Sequence, residues 1–234
     1  MPSGQTAFSL TELLVTIGII TVLAVMSVGG FRSVQSSAGR AECVSNLRQL
    51  GAGALGYVQD RNGVLFPGKV FYSASFEADG GFRDYVGYDF PEKTSRAPDR
   101  FSADSLFTCP ELKKQDPEKF QAPTLLNRTY TMNEYALASE DGVAKPASHP
   151  GRLSRIPSLS QMMLLTDGSA LKTGVSFHTT LNPSYVTRNF LYYPHKKSQN
   201  VLFFDGHVAA VPENEFRQPE NPRNFWGNLD LPES

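Results

Sequence analysis

The sequence predicts an α+β chain: one long N-terminal helix, its first half transmembrane, packed on a small antiparallel β-sheet head with long loops. Three observations predict it. From Leu13 to Phe31 run 19 residues without a formal charge, rich in Leu, Ile and Val; at about 1.5 Å rise per residue, such a helix nearly matches a bilayer core of about 30 Å. Behind it, Phe31, Val34, Ala38, Ala41, Val44, Leu47, Gly51, Ala54 and Val58 recur at steps of three or four, the spacing of one apolar helix face. Near the other end, NVLFFDGHVAAV sets two extended runs around Asp205-Gly206, a pair suited to a tight hairpin in which both turn positions take positive φ.

The expected organisation is a leader at 1–7, a transmembrane helix at 8–31, its amphipathic continuation at 32–60, an extracytoplasmic β-rich head at 61–211 and a C-terminal tail at 212–234. One helix from about Ser9 to Asp60 would be roughly 75 Å long. Glu12 stands one turn into it. An unpaired charge at mid-membrane costs about 2.5 to 3.5 kcal/mol, so this carboxylate asks for a partner or for the positive field of a helix N-terminus.

Asn62-Gly63 is a turn signal that closes the helix. Further on, LFTCP (Leu106 to Pro110) reads as a short strand running into a Pro stop. The hydrophilic stretch from Glu111 reads as a loop or fragmentary helix, Asn127 to Leu137 as a strand or compact loop, and Gln161 to Thr166 as a strong strand closed by Asp167-Gly168. The unbroken apolar run Val201 to Phe204 places the hairpin in the middle of the sheet, and Phe225 and Trp226 are the residues expected to pin the tail.

Charge excludes one class of partner. With 22 Lys plus Arg against 23 Asp plus Glu, the formal charge is −1, so nothing electrostatic recruits nucleic acid. Cys43 and Cys109 are the two cysteines, too few for a disulfide framework and without a CxxC pair. They could bond in an oxidising compartment, or stay as a buried helix thiol and an unrelated thiol before Pro110.

The segment Ala7-Phe8-Ser9-Leu10-Thr11-Glu12-Leu13-Leu14 resembles the prepilin processing signal of type IV pilins and type II secretion pseudopilins. The resemblance implies cleavage between Ala7 and Phe8 by a prepilin peptidase/methyltransferase, methylation of the Phe8 amine, and an assembly role for Glu12, paired with that amine in a neighbouring subunit. Further on, His195, nine intervening residues and Asp205-Gly206 match the His-x9-Asp-Gly element of a group of prepilin-like proteins from planctomycete, verrucomicrobial and related bacteria. Asn46 to Leu50, Cys109-Pro110, Tyr130, Asn133 and the strand before Asp167 sit as in that group.

The implied function is a pseudopilin-like structural subunit of a type II secretion or type IV pilus-like assembly. The alternative is a membrane-tethered extracytoplasmic binding domain using the prepilin export route, with Tyr72, Phe76, Phe82, Tyr85 and Tyr88 as its aromatic patch. Partners would be the peptidase, other pilin-like subunits through the N-terminal helix, and a secretion or pilus platform. The protein would sit in the inner membrane as a single-pass chain with its C-terminal domain in the periplasm. Charge alone says the reverse, because Arg32, Arg40 and Arg48 follow the apolar run.

No catalytic motif is evident, so the chain reads as a non-enzyme without cofactor. His195, Asp205 and His207, with Asp167 and His178 in nearby loops, could be assembled into a metal site. The structural reading is preferred: Asp205 and Gly206 make the turn, and His195 donates a hydrogen bond to the hairpin. On that reading Gly206→Val costs at least about 1 kcal/mol and His195→Ala about 0.5 to 1.5 kcal/mol.

Overall fold

The computed structural model describes residues 9–65, 85–87, 105–115, 117, 129–133, 151–168, 180–181 and 193–227. Ala7, Phe8 and His178 lie outside them, as do all the expected patch aromatics except Tyr85. The chain divides into two compact units, Met1–Gly39 and Arg40–Ser234.

Helix α1, Leu10–Asp60, contributes to both units and starts and stops where the periodicity places it. Its N-terminus is a capping box: the Ser9 N–H donates to Glu12 Oε2 at 3.0 Å, and Ser9 Oγ accepts from the Thr11 N–H at 3.3 Å. Its C-terminus is closed by Asn62 and Gly63 at φ 53° and 79°, with the Gly63 N–H donating to the Val58 carbonyl at 2.9 Å.

In the first unit, the apolar side chains from Leu10 to Met26 are exposed on every side of the helix, Leu10 by 79%, Val25 by 76% and Met26 by 72%. Among the described residues, no helix is long and apolar enough to cross a membrane. This corrects the transmembrane first half of the expected fold and the single-pass inner-membrane placement drawn from it. Glu12 is used at the cap of α1, where it accepts from the Ser9 N–H.

In the second unit, the later turns of α1 lie on a five-stranded sheet. Its strands are β1 (Tyr130–Asn133), β2 (Met163–Asp167), β3 (Thr180–Leu181), β4 (Ser198–Phe203) and β5 (Val208–Pro212), in the order β3-β1-β2-β4-β5. Pairing is antiparallel from β1 through β2 and β4 to β5, whereas β3 pairs parallel to β1. The antiparallel sheet expected from the sequence is formed by β1, β2, β4 and β5, and the two-residue β3 is a parallel addition at its edge. Direction reverses at β2 and again before β3, so β3 returns running the same way as β1.

The unbroken apolar run of β4 is explained by burial on both faces. Leu202 and Phe204 pack with Cys43, Leu47, Leu50, Ala54, Tyr57 and Val58 of α1. Val201 and Phe203 pack instead with Phe216, Phe225 and Trp226, which come from two short helices, α3 (Glu213–Arg217) and α4 (Pro222–Trp226). Where α1 meets β4, a Cβ on Gly51 would stand 2.5 Å from Leu202 Cδ2, so the absence of a side chain is what lets the Leu202 side chain seat against the helix.

Two local expectations are corrected. Leu106–Pro110 is not a strand: Pro110 opens a short helix, α2 (Pro110–Gln115), because its missing N–H costs nothing at a first helical position. The β4–β5 connection is not a two-residue turn. The Gly206 N–H donates to the Phe203 carbonyl at 3.0 Å, the Phe203 N–H donates to the His207 carbonyl at 3.0 Å, and of Asp205 and Gly206 only Gly206 has positive φ, at 90°. That is a three-residue loop with a glycine bulge. The hairpin also ends the sheet, with β5 at its edge.

Candidate functional site

Four residues distant in sequence meet inside the second unit. Cys43 comes from α1, Cys109 from the residue before α2, Asp167 from the last position of β2, and His195 from the turn before β4. Cys43 and Cys109 form a disulfide across a sequence separation of 66, with Cα atoms 5.3 Å apart. His195 Nε2 lies 3.0 Å from Asp167 Oδ2 and 3.8 Å from Cys109 Sγ. All four residues are buried.

The surrounding hydrogen bonds fix each member. Asp167 Oδ1 accepts from the Asn200 N–H at 2.9 Å and Oδ2 from Asn200 Nδ2 at 2.7 Å, so this buried carboxylate has three donors including His195. Asn200 Oδ1 accepts in turn from Arg40 Nε of α1 at 3.2 Å. The Cys109 N–H donates to Thr129 Oγ1 at 2.6 Å, and the Tyr130 hydroxyl donates to the Cys43 carbonyl at 3.4 Å.

His195 is held by backbone geometry. Its carbonyl accepts from the Ser198 N–H at 3.1 Å, while Lys196 and Lys197 between them take φ of 50° and 62°. Two successive left-handed lysines are unusual, since a side chain there crowds the backbone, and Asn or Gly is the ordinary choice. Beside the turn, burial pushes the Tyr193 phenol up to about 12, and the Arg217 guanidinium sits 5.7 Å from its ring centre.

Cys, His and Asp are the residue types of a thiol nucleophile, a base and an orienting carboxylate. Their arrangement here is different. In such a relay the carboxylate holds one ring nitrogen and the nucleophile faces the other. Here Nε2 faces both Asp167 and Cys109, and the Cys109 sulfur is already bonded to Cys43.

The residues expected to form a site are dispersed. Glu12 caps α1, and its described contact is with Ser9. Asp205 Oδ1 accepts from the His207 N–H at 3.1 Å and lies 2.6 Å from His207 Nδ1, and the His207 ring stacks on Phe203 with centroids 4.4 Å apart. Burial tends to raise the Asp205 carboxyl, but the bonds and charge of His207 outweigh it and hold the group below its ordinary range. The His195 ring goes to Asp167, not to the hairpin turn as expected. Among the described residues, the one group able to hold a metal ion is Cys43, Cys109, Asp167 and His195.

No family model, curated protein or solved structure matches the chain. That finding, with the helix result, corrects the pilin and pseudopilin assignment. The secretion or pilus-subunit function, and its alternative of a tethered domain on the prepilin export route, are corrected with it.

Proposed function

We propose that this chain is a non-enzymatic structural subunit: a sheet domain locked internally by the Cys43–Cys109 cluster, which associates with other subunits through the exposed apolar part of α1. The single observation that carries this reading is the helix from Leu10 to Met26, apolar on every side and exposed. A helix of that kind is stable in water only when something covers it. Each Leu, Ile or Val removed from water contributes about 1.5 to 3 kcal/mol, so self-association of several such helices is strongly favoured. The balanced charge gives no basis for nucleic acid as a partner.

The cluster favours a structural role over catalysis. Its side chains are closed to solvent, and its histidine presents one nitrogen to both neighbours, leaving no path for a proton from sulfur through the ring.

Sedimentation velocity on the full chain tests the association. The expected result is an assembly larger than a monomer, reduced to monomer when Leu14, Ile17 and Ile20 are replaced by Lys. A wild-type chain that sediments as a monomer would refute it.

A further inference from the structure

Cys43 Sγ, Cys109 Sγ, Asp167 and His195 offer four ligand atoms that lie within 4.8 Å of one another, all buried. A tetrahedral zinc shell, with Zn–S about 2.3 Å and Zn–N or Zn–O about 2.0 to 2.1 Å, has ligand atoms about 3.3 to 3.8 Å apart. His195 Nε2 is 3.0 Å from Asp167 Oδ2 and 3.8 Å from Cys109 Sγ, so two edges of that shell are nearly in place. The feature that spoils a catalytic relay, one nitrogen facing both neighbours, is what a shared central ion requires. The Asn200 N–H on Asp167 Oδ1 would orient the carboxylate from outside, as carboxylate ligands in metal sites are commonly held.

We propose that, once the disulfide is opened, Cys43, Cys109, Asp167 and His195 form a zinc site, so that α1 is tied to the start of α2 covalently when the cysteines are oxidised, and to that segment, to β2 and to the turn before β4 through a metal ion when they are reduced. A dithiol reductant supplies two electrons and two protons to the S–S bond and becomes a disulfide, leaving two thiols on the protein. Zn²⁺ then displaces both thiol protons to solvent. The His195 ring proton, which faces Asp167 from Nε2 in the oxidised form, moves to Nδ1 so that Nε2 gives its lone pair, and Asp167 binds as the carboxylate. Two thiolates and one carboxylate against a divalent ion leave one net negative charge, with Arg40 reaching the cluster through Asn200. The site goes beyond the assembly reading and does not depend on it.

The test uses the full chain, unfolded and refolded with a phosphine reductant and Co²⁺ as the probe, then freed of loose ion by gel filtration. The expected product holds stoichiometric cobalt with tetrahedral d–d bands and thiolate-to-cobalt charge transfer, and Zn²⁺ displaces it. Reoxidation to the disulfide should release the ion, and H195Q and D167N should lose the tetrahedral spectrum. The wild-type spectrum decides the matter even where a variant does not refold, because charge transfer reports thiolate ligation directly. A reduced chain that retains no more ion than the oxidised one, an octahedral spectrum, failure of the reduced chain to refold with the ion, or an unchanged spectrum in folded H195Q would each overturn the proposal.

Discussion

Asp167 and His195 meet at 3.0 Å through Oδ2 and Nε2, with their side chains 0% and 3% exposed. A carboxylate taken that far from water depends on its donors, and His195 is one of three. Removing the ring leaves Asp167 with Asn200 alone.

His195→Ala should therefore destabilise the domain by about 3 kcal/mol, toward the lower end of what breaking a buried pair costs. Gly206→Val strains a turn glycine at φ 90°, a cost of about 1 to 3 kcal/mol. The sequence alone puts these two in the opposite order. Urea melts of the two variants check this, with His195→Ala expected to lower the midpoint more.

Replacing Lys197, at φ 62°, with Gly should stabilise the chain by about 1 kcal/mol, because the left-handed region costs an L-residue about 1 to 2 kcal/mol and glycine almost nothing. For a chain of this size that is an increase in Tm of about 2 to 4 °C. Differential scanning calorimetry would show it. A lower Tm would mean that the Lys197 side chain contributes more than its backbone costs.

Asn133 holds α4 to the sheet. Its Nδ2 donates to the Met163 and Trp226 carbonyls, each at 2.9 Å. Asn133→Ala leaves two acceptors without that donor and should cost about 2 to 3 kcal/mol. Trp226 is the single tryptophan and is 2% exposed, so its emission should shift to the red in the variant while far-ultraviolet dichroism changes little.

Asp205 gives a pH dependence with a definite sign. Its folded pKa lies below the ordinary value of 3.8, held there against burial by the bonds from His207. A depressed carboxyl contributes stability that is present above the unfolded pKa and lost as pH falls through the folded one. Asp205→Asn should flatten the stability curve below that ordinary value and leave its shape near neutrality unchanged. The effect should be small, since the pair is exposed to solvent.

The long-range periodic signals were legible in the sequence. Helix α1 was readable because its apolar steps persist for many turns, and β2 and the β4–β5 hairpin because their runs are dense and punctuated by Asp167-Gly168 and Asp205-Gly206. Which side of α1 faces the sheet was only partly readable. Ala38 and Ala41 are exposed, whereas Cys43, Leu50 and Tyr57 are buried; alanine fits either side, and the expected stripe omitted these three. Of the buried cluster, His195 stands out in the sequence by its motif, and Asp167 reads only as a possible loop ligand. Its grouping with Cys43 and Cys109 was invisible, because α1, α2, β2 and β4 each bring one member or its turn, and only tertiary packing joins them. Two cysteines 66 positions apart carry no local signal of pairing.

The central claim is that this cluster locks the domain. It is tested most directly by the stability of the full chain in urea, with the disulfide intact and after reduction, in the presence of a chelator so that no ion can replace the bond. Closing a loop with a sequence separation of 66 is worth about 4 kcal/mol on chain-entropy grounds. The account predicts a fall in unfolding free energy of about that size on reduction, restored by reoxidation. Coincident unfolding curves for the oxidised and reduced chains would contradict it.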